Sequence, residues 1–144
     1  MIRIQREDFD PGAEIDRLRG ARTDLGAVTS FVGYVRSDDG VERMALEHYP
    51  GMTEAALAGI VATAHQRFEF ADALVIHRVG ELNPGERIVL VAVTGRHRTQ
   101  TLRACEFIID YLKTDAPFWK KEFTRDGERW VDARRSDQTK RDDW

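Results

Sequence analysis

Residues 87–123, "RIVLVAVTGRHRTQTLRACEFIIDYLKTDAPFWKKEF", change their hydrophobic period twice. Arg87 to Val93 is apolar on both faces, as a strand enclosed within a sheet is. From Thr99 or Thr101 a helix is expected, with Leu102, Cys105, Ile108, Ile109 and Leu112 along one side. Pro117 prevents its continuation. Beyond the proline, Phe118, Lys120 and Glu122 alternate with Trp119, Lys121 and Phe123, the period of a strand. A buried strand, a one-sided helix and a strand turned back by proline set the class: helices packed on a sheet.

The flanking segments extend that reading. "IRIQ" (2–5) is a short strand, "GAEIDRLRG" (12–20) a short helical turn, and "GAVTSFVGYV" (26–35) a strand rich in β-branched and aromatic residues. Gly33 within it marks a bulge or a close approach. "DDG" (38–40) turns the chain into a second strand, "ERMALEHY" (42–49), which Pro50 and Gly51 stop. Thr53 is the expected cap of a helix carrying Leu57, Ile60, Val61, Ala64 and Phe68 on one face. "DALVIHRVG" (72–80) returns to strand and "NPGE" (83–86) is a turn. A hairpin is expected across Asp126-Gly127, and the tail "RSDQTKRDDW" (135–144) reads as polar and mobile apart from Trp144. The expectation is an α+β domain with a mostly antiparallel sheet and two main helices, one domain over residues 1–137, then a polar tail over 138–144.

Composition narrows the function. The chain has 144 residues, 42% hydrophobic and 33% charged, which suits one soluble domain. A net charge of −3 opposes a dedicated nucleic-acid binder but leaves room for a local basic pocket. One cysteine excludes an internal disulfide and a cysteine-rich metal site. "MIRIQREDFD" has no signal-peptide core, and no stretch approaches the roughly 20 apolar residues of a membrane span. A cytoplasmic protein with no membrane association is expected.

Two constellations carry chemistry. Lys113 follows Leu112 and lies four residues past Ile109, so it sits at the rim of the apolar stripe and can hold its amine at the mouth of a cleft. Lys120 and Lys121 point oppositely on the next strand, and Lys120 is the one placed to join Lys113. The competing reading makes all three solvated surface lysines. The second constellation, "TGRHRTQ" (94–100), lies between the buried strand and a helix N-terminus, where backbone N–H groups, Arg96, His97 and Arg98 favour an anion. It also reads as a solvated loop, and it is no nucleotide P-loop. Arg36 and Arg134 end strands, where the usual fate of an arginine is a rim salt bridge. His48 and His77 are expected to be hydrogen-bonded within the fold, and His65 to be exposed. The histidine spacing fits no metal site, and Cys105 reads as a small core residue.

"FVGYVR" (31–36), "LEHYPGMTEAALAGI" (46–60), "VIHRVGELNPGE" (75–86), "VTGRHR" (93–98), "DYLKTDAPFWKKE" (110–122) and "RWVDAR" (129–134) together closely resemble the catalytic (large) subunit family of molybdopterin synthase, in the family order. Val32 and Thr101-Leu102 depart from the family's usual residues, in positions that concern local packing. The resemblance implies an α/β-hammerhead-like α+β fold and a sulfurtransferase. That enzyme converts cyclic pyranopterin monophosphate to molybdopterin with two sulfurs from a small ubiquitin-like subunit ending in a Gly-Gly thiocarboxylate. No cofactor is implied, and the assembly is a dimer of large subunits within a heterotetramer. Lys113 then corresponds to the essential lysine, for proton transfer or covalent chemistry with the tail carbonyl, and Lys120 to a second lysine that stabilises charge. Arg36, His97 and Arg98 correspond to positions holding substrate, and Arg134 to an arginine reaching in from the neighbouring subunit. The rival reading is a non-catalytic module that binds an anion or nucleic acid on the same fold, against which the net charge and the scatter of the cations along the chain count.

Overall fold

The computed structural model describes residues 1–131 and 135–144. Its chain order is β1 (Ile2–Gln5), α1 (Pro11–Arg19), β2 (Ala27–Tyr34), β3 (Val41–His48), α2 (Met52–Arg67), β4 (Asp72–Arg78), β5 (Gly80–Leu82), β6 (Arg87–Gly95), α3 (Arg98–Asp115), β7 (Phe118–Thr124), β8 (Gly127–Val131) and α4 (Arg135–Asp142). The strands form two four-stranded sheets, ordered β1-β4-β6-β2 and β5-β3-β7-β8. All described pairings are antiparallel except β1 with β4. This is the expected α+β class, with the strands divided between two sheets.

β6 is an inner strand of the first sheet, and Val89 to Val93 are almost wholly buried. Its two faces serve two layers. Val89, Val91 and Val93 meet α2 and α3 through Leu57, Ala64, Phe107 and Ile108, while Leu90 and Ala92 meet Phe9 and the α1 side. A strand covered on both faces has no polar side to display, which is why its sequence does not alternate. The second sheet buries Val35, Met44, Leu46 and Leu82 in a smaller cluster. Among the described residues, no helix is long and apolar enough to cross a membrane.

Several boundaries differ from the sequence expectations. α2 begins at Met52 with Gly51 as its N-cap, and the Gly51 N–H donates to Glu54 Oε2 at 2.9 Å. Thr53 is instead fully buried: its hydroxyl accepts from the Tyr49 N–H and donates to the Pro117 carbonyl, both at 3.0 Å. It therefore pins the start of α2 to the segment that leads into β7. α3 begins at Arg98, with His97 as an N-cap whose side chain makes no capping bond, and not at Thr99 or Thr101. Thr101 is buried; its hydroxyl donates to the Arg98 carbonyl and accepts from Thr29. β4 ends at Arg78, and Gly80, with φ +90°, lets the chain pass into the other sheet as β5.

The expected bulge is present, with the β2–β6 register shifting between Gly33 and Tyr34. The hairpin turns at Arg125-Asp126, with Thr124 paired to Gly127. The tail is polar as expected and Trp144 is the exception expected of it, but the segment forms a helix that the sequence reading lacks. Residues 135–142 form α4, and Trp144 packs against Phe68 and Phe107 while its Nε1–H donates to Asp110 Oδ2 at 2.6 Å. Composition misled here because one terminal aromatic and one buried carboxylate secure a helix that is otherwise polar.

Candidate active site

An open cleft of about 700 Å³ lies where the C-terminal end of α3 meets β7. Helix end and strand are joined through Ala116 and Pro117, so Lys113 reaches the cleft from one element and Lys120 from the other. Phe118, Lys120 and Glu122 line it on alternate positions of β7, as the period-2 reading requires. Lys121 lies on the other face, where its amine pairs with Glu128 at 2.7 Å and stands over the Trp130 ring at 5.2 Å. The sorting of the three lysines into two cleft residues and one outside it therefore holds. Trp119 packs edge-on against Tyr49 at 4.2 Å and also contributes to the cleft wall.

Arg36 lines the same cleft just beyond β2. It stands 3.5 Å from Asp38 with both side chains exposed, a pair that costs little to part when a stronger anion arrives. Glu122 is the cleft's largely buried carboxylate, held by Arg129 at 3.1 Å. Asp137 and Lys140 enter from α4, a contribution that the polar tail sequence does not reveal. Lys113 is exposed, so desolvation of its amine awaits whatever fills the cleft.

His97 and Arg98 are not brought to this cleft. They begin α3 and Lys113 lies near its end, a separation of about 22 Å at 1.5 Å per residue. The joint anion site expected of Arg36, His97, Arg98 and the lysines therefore does not form within one chain, because a straight helix holds its two ends apart. The "TGRHRTQ" segment is nonetheless closely packed. A Cβ on Gly26 would lie 2.3 Å from the Arg96 carbonyl oxygen, and one on Gly95 would lie 2.8 Å from Thr101 Cγ2. Arg134 lies outside the described residues.

His77, expected to be a bonded fold residue, is 6% exposed and lines the floor of the cleft. Its Nδ1 lies 2.8 Å from the Arg78 carbonyl, and its ring stacks on Phe118 at 3.9 Å. Burial above all pushes its imidazole down to about 4; the Arg78 carbonyl opposes this, and Lys113 and His48 add to it. It is neutral at physiological pH. His65 is exposed and stacks on Phe70. Cys105 is buried in the core, and burial pushes its thiol up to about 12, so it is no nucleophile at neutral pH. Among the described residues, no group of three or more His, Cys, Asp or Glu is arranged to hold a metal ion.

Fold and site together define an α+β domain with an open cleft in which cations and aromatics converge at one helix end. The model of the family described as MoaE protein matches residues 4–115. A molybdopterin synthase catalytic subunit of Ralstonia nicotianae is 61% identical over 140 residues, covering 95% of this chain and 80% of that protein. The structure of a molybdopterin biosynthesis MoaE protein from Burkholderia ambifaria is 52% identical, covers 100% of this chain and 97% of that one, and superposes with a TM-score of 0.88. A molybdopterin synthase structure from Staphylococcus aureus is 32% identical, covers 90% and 95% of the two chains, and has a TM-score of 0.82. The chain belongs to the MoaE family, whose curated members matched here carry the name molybdopterin synthase catalytic subunit.

Proposed function

We propose that this cleft carries out the molybdopterin synthase reaction: two dithiolene sulfurs are installed on cyclic pyranopterin monophosphate, delivered by the thiocarboxylated Gly-Gly tail of a small ubiquitin-like subunit. The observation that carries this reading is the convergence of Lys113 and Lys120, from two different elements, on one cleft. Substrate phosphate and thiocarboxylate are both anions, and their approach is opposed unless fixed cations stand where they meet. Arg36 is placed for the phosphate. Lys113 meets the tail carbonyl, as a proton donor or by direct attack, and Lys120 stabilises the charge that develops. The sulfur arrives with the partner, in keeping with a single, buried cysteine in this chain, and no cofactor is called for.

His97 and Arg98 act in this reading from a second copy of the chain. They resemble substrate-holding positions yet stand about 22 Å from Lys113 along α3, so a dimer in which one α3 N-terminus faces the other copy's cleft reconciles the two. Two such dimer sites, each meeting one small subunit, make a heterotetramer. A nucleic-acid-binding module would instead spread cations along an open face, and here Arg36, Lys113 and Lys120 gather in a cleft on a chain of net charge −3.

The test mixes the purified protein with thiocarboxylated small subunit and cyclic pyranopterin monophosphate and assays dithiolene product. Product is expected; none, with a verified thiocarboxylate, refutes the reading. Lys113→Ala is expected to abolish turnover while circular dichroism and oligomeric state stay those of the wild type.

A further inference from the structure

The cations of the cleft are all hydrogen-bond donors, whereas His77 at its floor offers an acceptor. A backbone carbonyl can only accept, so the 2.8 Å contact with Arg78 places the imidazole proton on Nδ1. Nε2, the ring nitrogen farthest from the backbone, then carries a lone pair. Among the described residues the only hydrogen bond of His77 is the one at Nδ1, and Nε2 is not one of the unpartnered atoms sealed from solvent, so this lone pair opens on the cleft that the residue lines. The ring is also held in plane: β4 carries it on the same face as Ala73 and Val75, Phe118 stacks on it, and it is 6% exposed. The charged or titratable groups acting on it are Lys113 from α3 and His48 from β3, both on the side of positive charge. A fixed, neutral, unpartnered acceptor on the floor of a binding cleft is a specificity element, because a ligand without a matching donor leaves it buried and unsatisfied.

We propose that Nε2 of His77 accepts a hydrogen bond from an N–H edge of the substrate's pterin ring and so fixes which way round the substrate lies between Lys113 and Lys120. This rests on the reaction proposed above. The ring is the favoured donor because the other occupant of the cleft ends in an anionic thiocarboxylate, which a lone pair repels. His77 acts on binding and orientation, while bond making stays with the lysines. Its removal therefore weakens KM more than kcat.

The experiment uses protein labelled with ¹⁵N-histidine, the His77 signals assigned through its backbone, after wild-type turnover has been verified. Saturating cyclic pyranopterin monophosphate is expected to move the Nε2 resonance upfield, the direction of an imidazole nitrogen accepting a hydrogen bond. Inorganic phosphate alone, and the small subunit alone, are expected to leave it in place. In kinetics, His77→Phe keeps the stack on Phe118 and removes the acceptor. It is expected to raise KM about five- to tenfold, the loss of one neutral hydrogen bond, with kcat within about twofold of wild type. His77→Gln, which keeps an acceptor, recovers part of KM. An unmoved resonance in an active enzyme overturns the assignment, as does a shift with phosphate alone or with the small subunit alone. Absence of dithiolene product in the wild type would instead overturn the reaction.

Discussion

Gly26 has no room for a side chain, because a Cβ there would stand 2.3 Å from the Arg96 carbonyl oxygen. The two backbones touch: the Gly26 N–H donates to the Gly95 carbonyl at 2.9 Å. Gly26→Ala must push the 94–97 segment aside, and is expected to lower stability by about 2 kcal/mol, read as a fall in the urea midpoint. His77 gives a pH-dependent counterpart. Its pKa in the fold is about 4 against an ordinary 6.5, so as pH falls the unfolded chain takes the proton first. Stability is therefore lost progressively between about pH 6.5 and 4, in total by about 3 kcal/mol. The buried Glu14 carboxyl is pushed up by burial but held below its ordinary 4.5 by hydrogen bonds from Arg3 and Arg17, so its contribution disappears only at lower pH. Urea melts at pH 7 and pH 5 are expected to show a smaller pH-dependent loss in His77→Phe than in the wild type. His77 is legible as a residue hydrogen-bonded within the fold, but its depth of burial and the close approach at Gly26 are not. A close approach and a burial depth depend on what lies across from a residue, and the chain order does not show that.

The β7 strand was legible residue by residue, since alternation alone assigns Lys120 to one face and Lys121 to the other. Pro117 was legible as a helix stop, but its carbonyl's bond to Thr53 was not, for the partner lies far off in sequence. Helix α4 was missed entirely. Its own residues are polar, and it is secured by Trp144 against Phe68, Phe107 and Asp110, with Arg141 reaching Asp115 at 3.3 Å. Trp144→Ala is expected to cost about 2–3 kcal/mol in urea denaturation, the loss of a partly buried aromatic and a hydrogen bond to a carboxylate. Because α4 carries Asp137 and Lys140 to the cleft wall, the same variant is expected to turn over more slowly under conditions where it remains folded.

Across the molecule, the cations foreseen as one site fall into two groups at opposite ends of α3. If a second copy joins them, mixing two inactive proteins restores activity. Lys113→Ala and Arg98→Ala chains, unfolded together and refolded as dimers, are expected to recover about a quarter of wild-type turnover. Random pairing in a two-fold dimer leaves that share of sites with both residues intact. Recovery at the level of the separate variants would mean that Arg98 serves only its own chain.

The one-dimensional pattern was enough for the elements and their faces: the doubly buried β6, the apolar stripe of α3, the reversal at Pro117 and the choice between Lys120 and Lys121. Each follows from the period at which side chains recur along a helix or strand, a local property of the backbone. The sequence's likeness to a family supplied the reaction. The three-dimensional packing was needed for the division of strands into two sheets, the docking of α4, the placement of His77 as an unpartnered acceptor on the cleft floor, and the separation of His97 and Arg98 from the lysines. Those depend on distances between residues remote in the chain, and such distances exist only once the core has closed around them.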